Sequence, residues 1–193
     1  MSFFSTMTQP RSDYIETAIS ALDSNPEAVG VTGSLILDGA SRGYPVSFGE
    51  ARSALKSSWR EHASLQVVDV PSLYGCNFAV RYSAAASLLF DDQLPLYSWL
   101  EDLDYSRRLA HRGRLVRCDQ CVAVHHGSAS GGRTQHVRFG YSQITNPVHL
   151  WKKGSISPVH TGILIFKPFT GSSVIEWGSG DEPAGRQEHT EPV

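Results

Sequence analysis

The run Ala28 to Leu37, AVGVTGSLIL, constrains the fold of this chain more than any other segment. It is apolar along its length and rich in β-branched residues, so it reads as a strand buried within a sheet. A helix precedes it. Asp13 can cap that helix, Glu16 stands at capping-box distance, and Ile15, Ala18, Ile19 and Leu22 recur on one face. Asn25-Pro26 stops the helix, and Asp38-Gly39 turns the chain after the strand. The alternation continues downstream. Ala51 to His62 predicts a short helix, Leu65 to Val70 and Leu73 to Arg81 two short strands, and Ser83 to Leu89 a helix packed on alanines. Leu96, Leu100, Leu103 and Ala110 form the stripe of a further helix, with Ser98 and Glu101 as its capping box and Gly113 as its stop. Leu115 to Val124 predicts a strand, Gly127 to Arg133 a glycine-rich loop, and Val137 to Lys153 an amphipathic helix. Alternating helices and strands predict an α/β layered sheet.

With 193 residues, 40% of them hydrophobic, the chain can bury one ordinary core. A net charge of -2 and a pI near 6.4 weigh against a nucleic-acid partner and against a polybasic membrane clamp. Three cysteines cannot all pair within one chain, and the first residues do not read as a secretory leader. No apolar run reaches the ~18 residues of a membrane span, so no transmembrane segment is predicted. The expected setting is cytoplasmic, with peripheral contact at the inner face of a membrane left open. After Gly154 the composition turns polar, apart from Gly162 to Phe166. The predicted division is a folded domain over 1–153 and a polar, largely disordered tail over 154–193.

The densest chemistry lies in Trp99-Leu-Glu101-Asp102-Leu-Asp104-Tyr-Ser-Arg107-Arg108. Carboxylates at a helix start are stabilised as anions by the helix dipole. One aimed into a cleft can take a proton from an attacking hydroxyl. The same pattern also fits a solvated helix start, in which Glu101 caps, Asp104 pairs with Arg108 and Asp102 faces water. A second cluster, Cys118-Asp-Gln-Cys121 with His125-His126, holds zinc-type ligands. On a strand the two adjacent histidines face opposite sides, which weighs against one shared metal.

Taken together, several blocks resemble the acceptor-side, C-terminal part of the family-two inverting glycosyltransferases of the GT-A type. They are Val31-Thr32-Gly33, read as a strand end after the first helix, and Gly75-Cys-Asn77-Phe-Ala79-Val-Arg81. They continue with Phe90-Asp91-Asp92, Glu101-Asp102-Leu-Asp104 with Arg107 or Arg108 and Gly113, and Val124-His125. The match runs from about residue 10 to residue 153 and implies a partial GT-A-like sheet with flanking helices. It implies transfer of a sugar from a nucleotide-diphosphate sugar donor to an acceptor hydroxyl, with inversion. Asp102 would be the catalytic base, with Glu101 and Asp104 shaping the site. Gly75 and Asn77 would line the acceptor pocket. His125 would lie near the metal, Mg²⁺ or Mn²⁺, and the diphosphate. Arg133 and Arg138 are phosphate-contact candidates on charge and position.

One departure is marked. Where the family carries an Asp-x-Asp metal motif, this chain reads Phe3-Phe4-Ser5-Thr6-Met7-Thr8-Gln9-Pro10, without a carboxylate. The resemblance implies a nucleotide-binding half before this motif, and the expectation is that this chain lacks it. The expectation is a truncated copy, which is active only with a separate N-terminal half or is a non-catalytic remnant. A zinc-bound interaction module is the third reading.

Overall fold

The computed structural model describes residues 2–4, 7–59, 65–94, 98–127 and 136–166. In chain order the elements are β1 (Ser2–Phe4), β2 (Thr8–Pro10), α1 (Tyr14–Asp23), β3 (Ala28–Asp38), α2 (Gly39–Arg42) and α3 (Phe48–Ser57). There follow β4 (Val67–Asp69), β5 (Asn77–Val80), α4 (Tyr82–Ala85), α5 (Glu101–Ala110), β6 (Arg114–His125), α6 (His136–Lys153) and α7 (Pro158–Phe166). The strands form one mixed sheet in the order β1-β5-β3-β6-β2, and β4 also pairs with β6. β3 and β6 run parallel, and the other pairings are antiparallel. The α/β layering expected from the alternating pattern is the architecture observed.

The long parallel pair β3–β6 is the centre of the molecule, and helices cover it from both faces. Tyr14, Ala18, Ala21 and Leu22 of α1 pack on Val31, Ala79, Val116 and Cys121. Tyr105 and Leu109 of α5 pack on Val29, Phe78, Val80 and Leu115 from the opposite face. Ala51 and Leu55 of α3 cover Val122 and Val124 in the second half of β6. Each fully buried side chain of this size contributes roughly 1.5–3 kcal/mol. This two-sided burial explains why β3 carries an apolar run and not an alternating one.

An irregularity in the strand pair decides which side chains share a face. The β3–β6 register shifts between Thr32 and Ser34. On β6, Val116 and Cys118 therefore share the α1 face with Cys121 and Ala123, although strict alternation would separate them. Gly33 makes the shift sterically feasible, because a Cβ there would stand 2.0 Å from the Cys121 carbonyl oxygen. Val31-Thr32-Gly33 thus lies inside a strand that runs on to Asp38, opposite extra residues bulged out of β6, and is not the strand end expected from sequence.

Other expectations shift as well. Ile15 and Ile19 are 55% and 53% exposed, and α1 buries Tyr14 and its alanines instead. Small residues let the helix approach the sheet closely, so its buried face is rotated from the one defined by the larger residues. Asp13 does not cap α1; its carboxylate is held by the Arg11 guanidinium at 2.6 and 2.9 Å. Ser98 does not cap α5, which starts after Leu100 without a side-chain cap. The helix expected from Ala51 begins at Phe48, behind a Ser47 cap, and ends at Ser57. Residues 154–166, assigned to the tail by sequence, fold: Ile156 and Leu164 join Leu94, Leu100, Leu103 and Leu150 in an apolar cluster. The expected disorder of 168–193 falls outside the described residues.

Candidate active site

β3 and β6 end side by side, with Asp38 paired to His125 in the parallel register. In open α/β sheets, ligands bind at the carboxyl ends of parallel strands. The Asp38 carboxylate accepts from Ala40 N at 2.9 Å and from Ser41 Oγ at 2.6 Å, and its Oδ1 lies 2.8 Å from His125 Nδ1. Burial works to raise its pKa, but the hydrogen bond with His125, followed by those from Ser41 and Ala40 N, holds it down at about 2. Asp38 is therefore an anion at neutral pH, fixed at the rim of the sheet.

The turn 73–77 links this rim to α5. Thr32 Oγ1 accepts from Tyr74 N at 3.1 Å and donates to Asn77 O at 2.7 Å, which pins the turn to β3. Leu73 N donates to Ser106 Oγ at 2.9 Å, and Gly75 N donates to Asp102 Oδ2 at 3.1 Å, which pins it to α5. The Tyr74 hydroxyl reaches Asp38 Oδ2 at 3.4 Å. A continuous path, His125–Asp38–Tyr74–Gly75–Asp102, thus crosses the carboxyl end of the sheet. Gly75 is required for this approach, because a Cβ there would stand 2.9 Å from Asp102 Oδ2.

Asp102 is half-buried on the first turn of α5. Its oxygens accept from the backbone N–H groups of Gly75 and Leu103, with no cationic partner among the described residues. Burial dominates and raises its pKa above the ordinary aspartate value; the N–H groups oppose this only partly. Glu101 beside it is exposed and shifted in the same direction, by burial of its carboxyl and by the charge of Asp102. The backbone leading in is strained. Ser98 and Leu100 both have positive φ, 47° and 73°. A non-glycine residue held there costs on the order of 1–3 kcal/mol, and such residues cluster at functional sites. Leu100 is kept in place by burial against Leu103 and Leu150, and Asn146 Nδ2 donates to Trp99 O at 2.8 Å.

Asp104 serves a different region. It is fully buried and bound by Arg108 at 2.7 Å, Lys153 Nζ at 2.8 Å and Ser155 Oγ at 2.5 Å. Lys153 also donates to Asp91 at 2.6 Å, and Asp91 lies 2.9 Å from His149 Nε2. This network ties α5 to the end of α6. It does not place Asp104 beside Asp102.

The other sequence candidates divide in the same way. Gly75 and His125 lie on the path. Asn77 is fully buried, and its side-chain amide has no hydrogen-bond partner among the described residues. Only its backbone joins the turn, through Thr32. Arg138 is exposed on α6, away from these contacts, and Arg133 lies outside the described residues. Two residues of the path were not singled out from sequence. Asp38 was read only as a turn residue, although an aspartate ending a buried strand is itself a signal. Tyr74 carries no local signature.

The zinc grouping does not form. Cys118 and Cys121 are buried on the α1 face, His125 is taken by Asp38, and His126 lies 2.8 Å from Val46 O and 3.1 Å from Gln9 Oε1. Among the described residues no cluster of three or more His, Cys, Asp or Glu could hold a metal ion. β2 lies against the end of β6, with Thr8 opposite His125, and Met7 O accepts from His126 N at 2.7 Å. Met7 and β2 thus adjoin His125 and bring no carboxylate to it. The sequence matches no protein-family model and no curated protein.

Proposed function

We propose that this chain supplies the acceptor-binding and base-bearing part of an inverting sugar transferase, with Asp102 as the general base. The observation that supports this reading is the setting of Asp102: half-buried, without a cationic partner among the described residues, raised in pKa, and held against Gly75 N at 3.1 Å. A raised pKa makes a carboxylate a stronger base toward an attacking hydroxyl. On this reading an acceptor hydroxyl docks against Asp102 over the 73–77 turn. Its oxygen attacks the anomeric carbon of the donor as its proton passes to Asp102. The nucleoside diphosphate departs with the electrons of the broken bond, so the configuration inverts. Glu101 borders the acceptor, and Asp38 with Tyr74 offers hydrogen bonds to sugar hydroxyls at the sheet rim.

The described residues do not fit a divalent cation. Asp38 is the one carboxylate beside His125 and is already committed to four partners, and Met7 offers a hard ion no charge. No step is therefore drawn through a metal. Calorimetric titration with UDP-, GDP- and dTDP-sugars, with and without Mn²⁺, tests the reading. Saturable heat, together with sugar transfer that D102N abolishes while binding persists, supports it. No heat with any donor overturns activity of this chain alone. Met7 beside His125 favours a second reading, a non-catalytic copy or one subunit of a split enzyme. Transfer restored by a separately expressed nucleotide-binding half identifies the split enzyme.

A further inference from the structure

Two helices turn apolar side chains away from the core. On α6, Val137, Tyr141, Ile144 and Trp151 recur at helical spacing and are exposed, whereas Ser142, Asn146 and Leu150 face inward. On α7, Val159, Ile163 and Phe166 are exposed at the same spacing, whereas Thr161 and Leu164 are buried. Val137 and Val159 are 73% and 72% exposed. An outward apolar stripe opposite the buried one is the reverse of what water selects on a helix. Exposed aromatics beside aliphatics suit the boundary between water and hydrocarbon.

The charged side chains of the two helices have one sign. No aspartate or glutamate occurs between Asp119 and Glu176, a span that contains both helices. Arg138 and Lys152 are exposed on α6, whereas Lys153 is turned inward to Asp91 and Asp104. The net charge of -2 for the whole chain conceals this local excess of cations. No described helix is long and apolar enough to cross a membrane.

We propose that the outer faces of α6 and α7 form a docking surface for an anionic lipid membrane, lying in its interface. Apolar side chains would enter the headgroup region while Arg138 and Lys152 meet lipid phosphates. A second copy of the chain fits this surface less well. A two-fold interface would bring the same cations together with no carboxylate from either face to pair them. The proposal does not depend on sugar-transfer activity.

Co-sedimentation of the full chain with phosphatidylcholine vesicles, with and without phosphatidylglycerol, tests it. The expected result is binding to the anionic vesicles that weakens with salt, with tryptophan fluorescence quenched by brominated lipid. I144E/W151E should lower vesicle partitioning at least about tenfold without changing the thermal melt, since both positions are exposed. R138E/K152E should lower it by roughly fivefold or more per cation on anionic vesicles alone. No pelleting with anionic vesicles, or equal pelleting of wild type and I144E/W151E, overturns the proposal. A dimer in solution that I144E/W151E disperses, without lipid binding by the wild type, overturns it in favour of self-association.

Discussion

Asp102 and Asp104 stand two residues apart on α5, and the helix turns them to different parts of the molecule. Asp104 points into the packing against α6, with Arg108, Lys153 and Ser155 around it. Asp102 points toward the 73–77 turn and, among the described residues, receives only backbone N–H groups. Asp104 is removed from water fully and Asp102 in part, but among the described residues only Asp104 is given countercharge. A buried anion with cationic partners is a structural joint, and removing it leaves uncompensated cations. A buried anion without them pulls in a proton, which is the property a base needs. The contrast is that between a residue serving the fold and one serving chemistry.

The comparison breaks most readily at Asp102. On the proposed function, D102N should lower sugar transfer about a thousandfold with donor affinity unchanged, within the range typical of a general base. The measurement is kcat alongside calorimetric donor binding. D104N, in contrast, should leave the chemistry of any folded molecule nearly intact. Its cost falls on stability. D104A should lower unfolding free energy by about 3 kcal/mol in urea titration, toward the low end for a broken buried pair. The cost is limited because Arg108 and Lys153 keep 25% and 29% of their side chains exposed and can turn to solvent. If D104A proves the more damaging to transfer at equal stability, the assignment of roles is reversed.

A subtler variant sharpens the contrast. G75A places a methyl where Asp102 Oδ2 now lies 2.9 Å from the Cβ position. The carboxylate must shift outward, and transfer should fall roughly ten- to a hundredfold, as small misplacements of catalytic groups do. Stability should change by only about 1 kcal/mol, because the Asp102 side chain is not locked by a charge pair. Parallel kinetics and thermal melts of G75A check both parts.

The framework was legible in the sequence, and the exceptions have particular causes. Burial on both sides made β3 and β6 readable as strands, because a two-sided core leaves no polar alternation to confuse the pattern. The outward stripes on α1, α6 and α7 misled or escaped the same logic, since apolar spacing identifies a helix but not which face the sheet takes. Ile15 and Ile19 illustrate this: α1 approaches through Ala18 and Ala21, and close approach outweighs side-chain size. At the site, Asp102 and Gly75 were legible because helix starts and glycines carry local signals. Asp38 meets His125 only through the parallel register of two strands far apart in sequence. The β6 bulge opposite Gly33, one of the shifts that lead to that register, depends on a close approach of Gly33 to Cys121 that neither local segment reveals.

The smallest expected effect distinguishes the two aspartates by pH alone. The folded-state pKa of Asp102 is raised by burial, so the folded protein binds its proton more tightly than the unfolded chain does. Stability attributable to this group is therefore greatest at low pH and is lost as pH rises through the ordinary aspartate range to the raised value. D102N removes that loss and keeps an oxygen able to accept from Gly75 N. At pH 7 it should match or exceed the wild type in stability, and the advantage should vanish as pH falls below the ordinary aspartate range. The sign is opposite for Asp38, whose pKa lies at about 2. Its contribution is present above the ordinary value and is lost as pH falls toward 2, so D38N should be destabilised at pH 7. Urea titrations of both variants across this range would show curves diverging from wild type in opposite directions. If D102N is destabilised at neutral pH, Asp102 is a satisfied structural anion like Asp104, and the base belongs elsewhere.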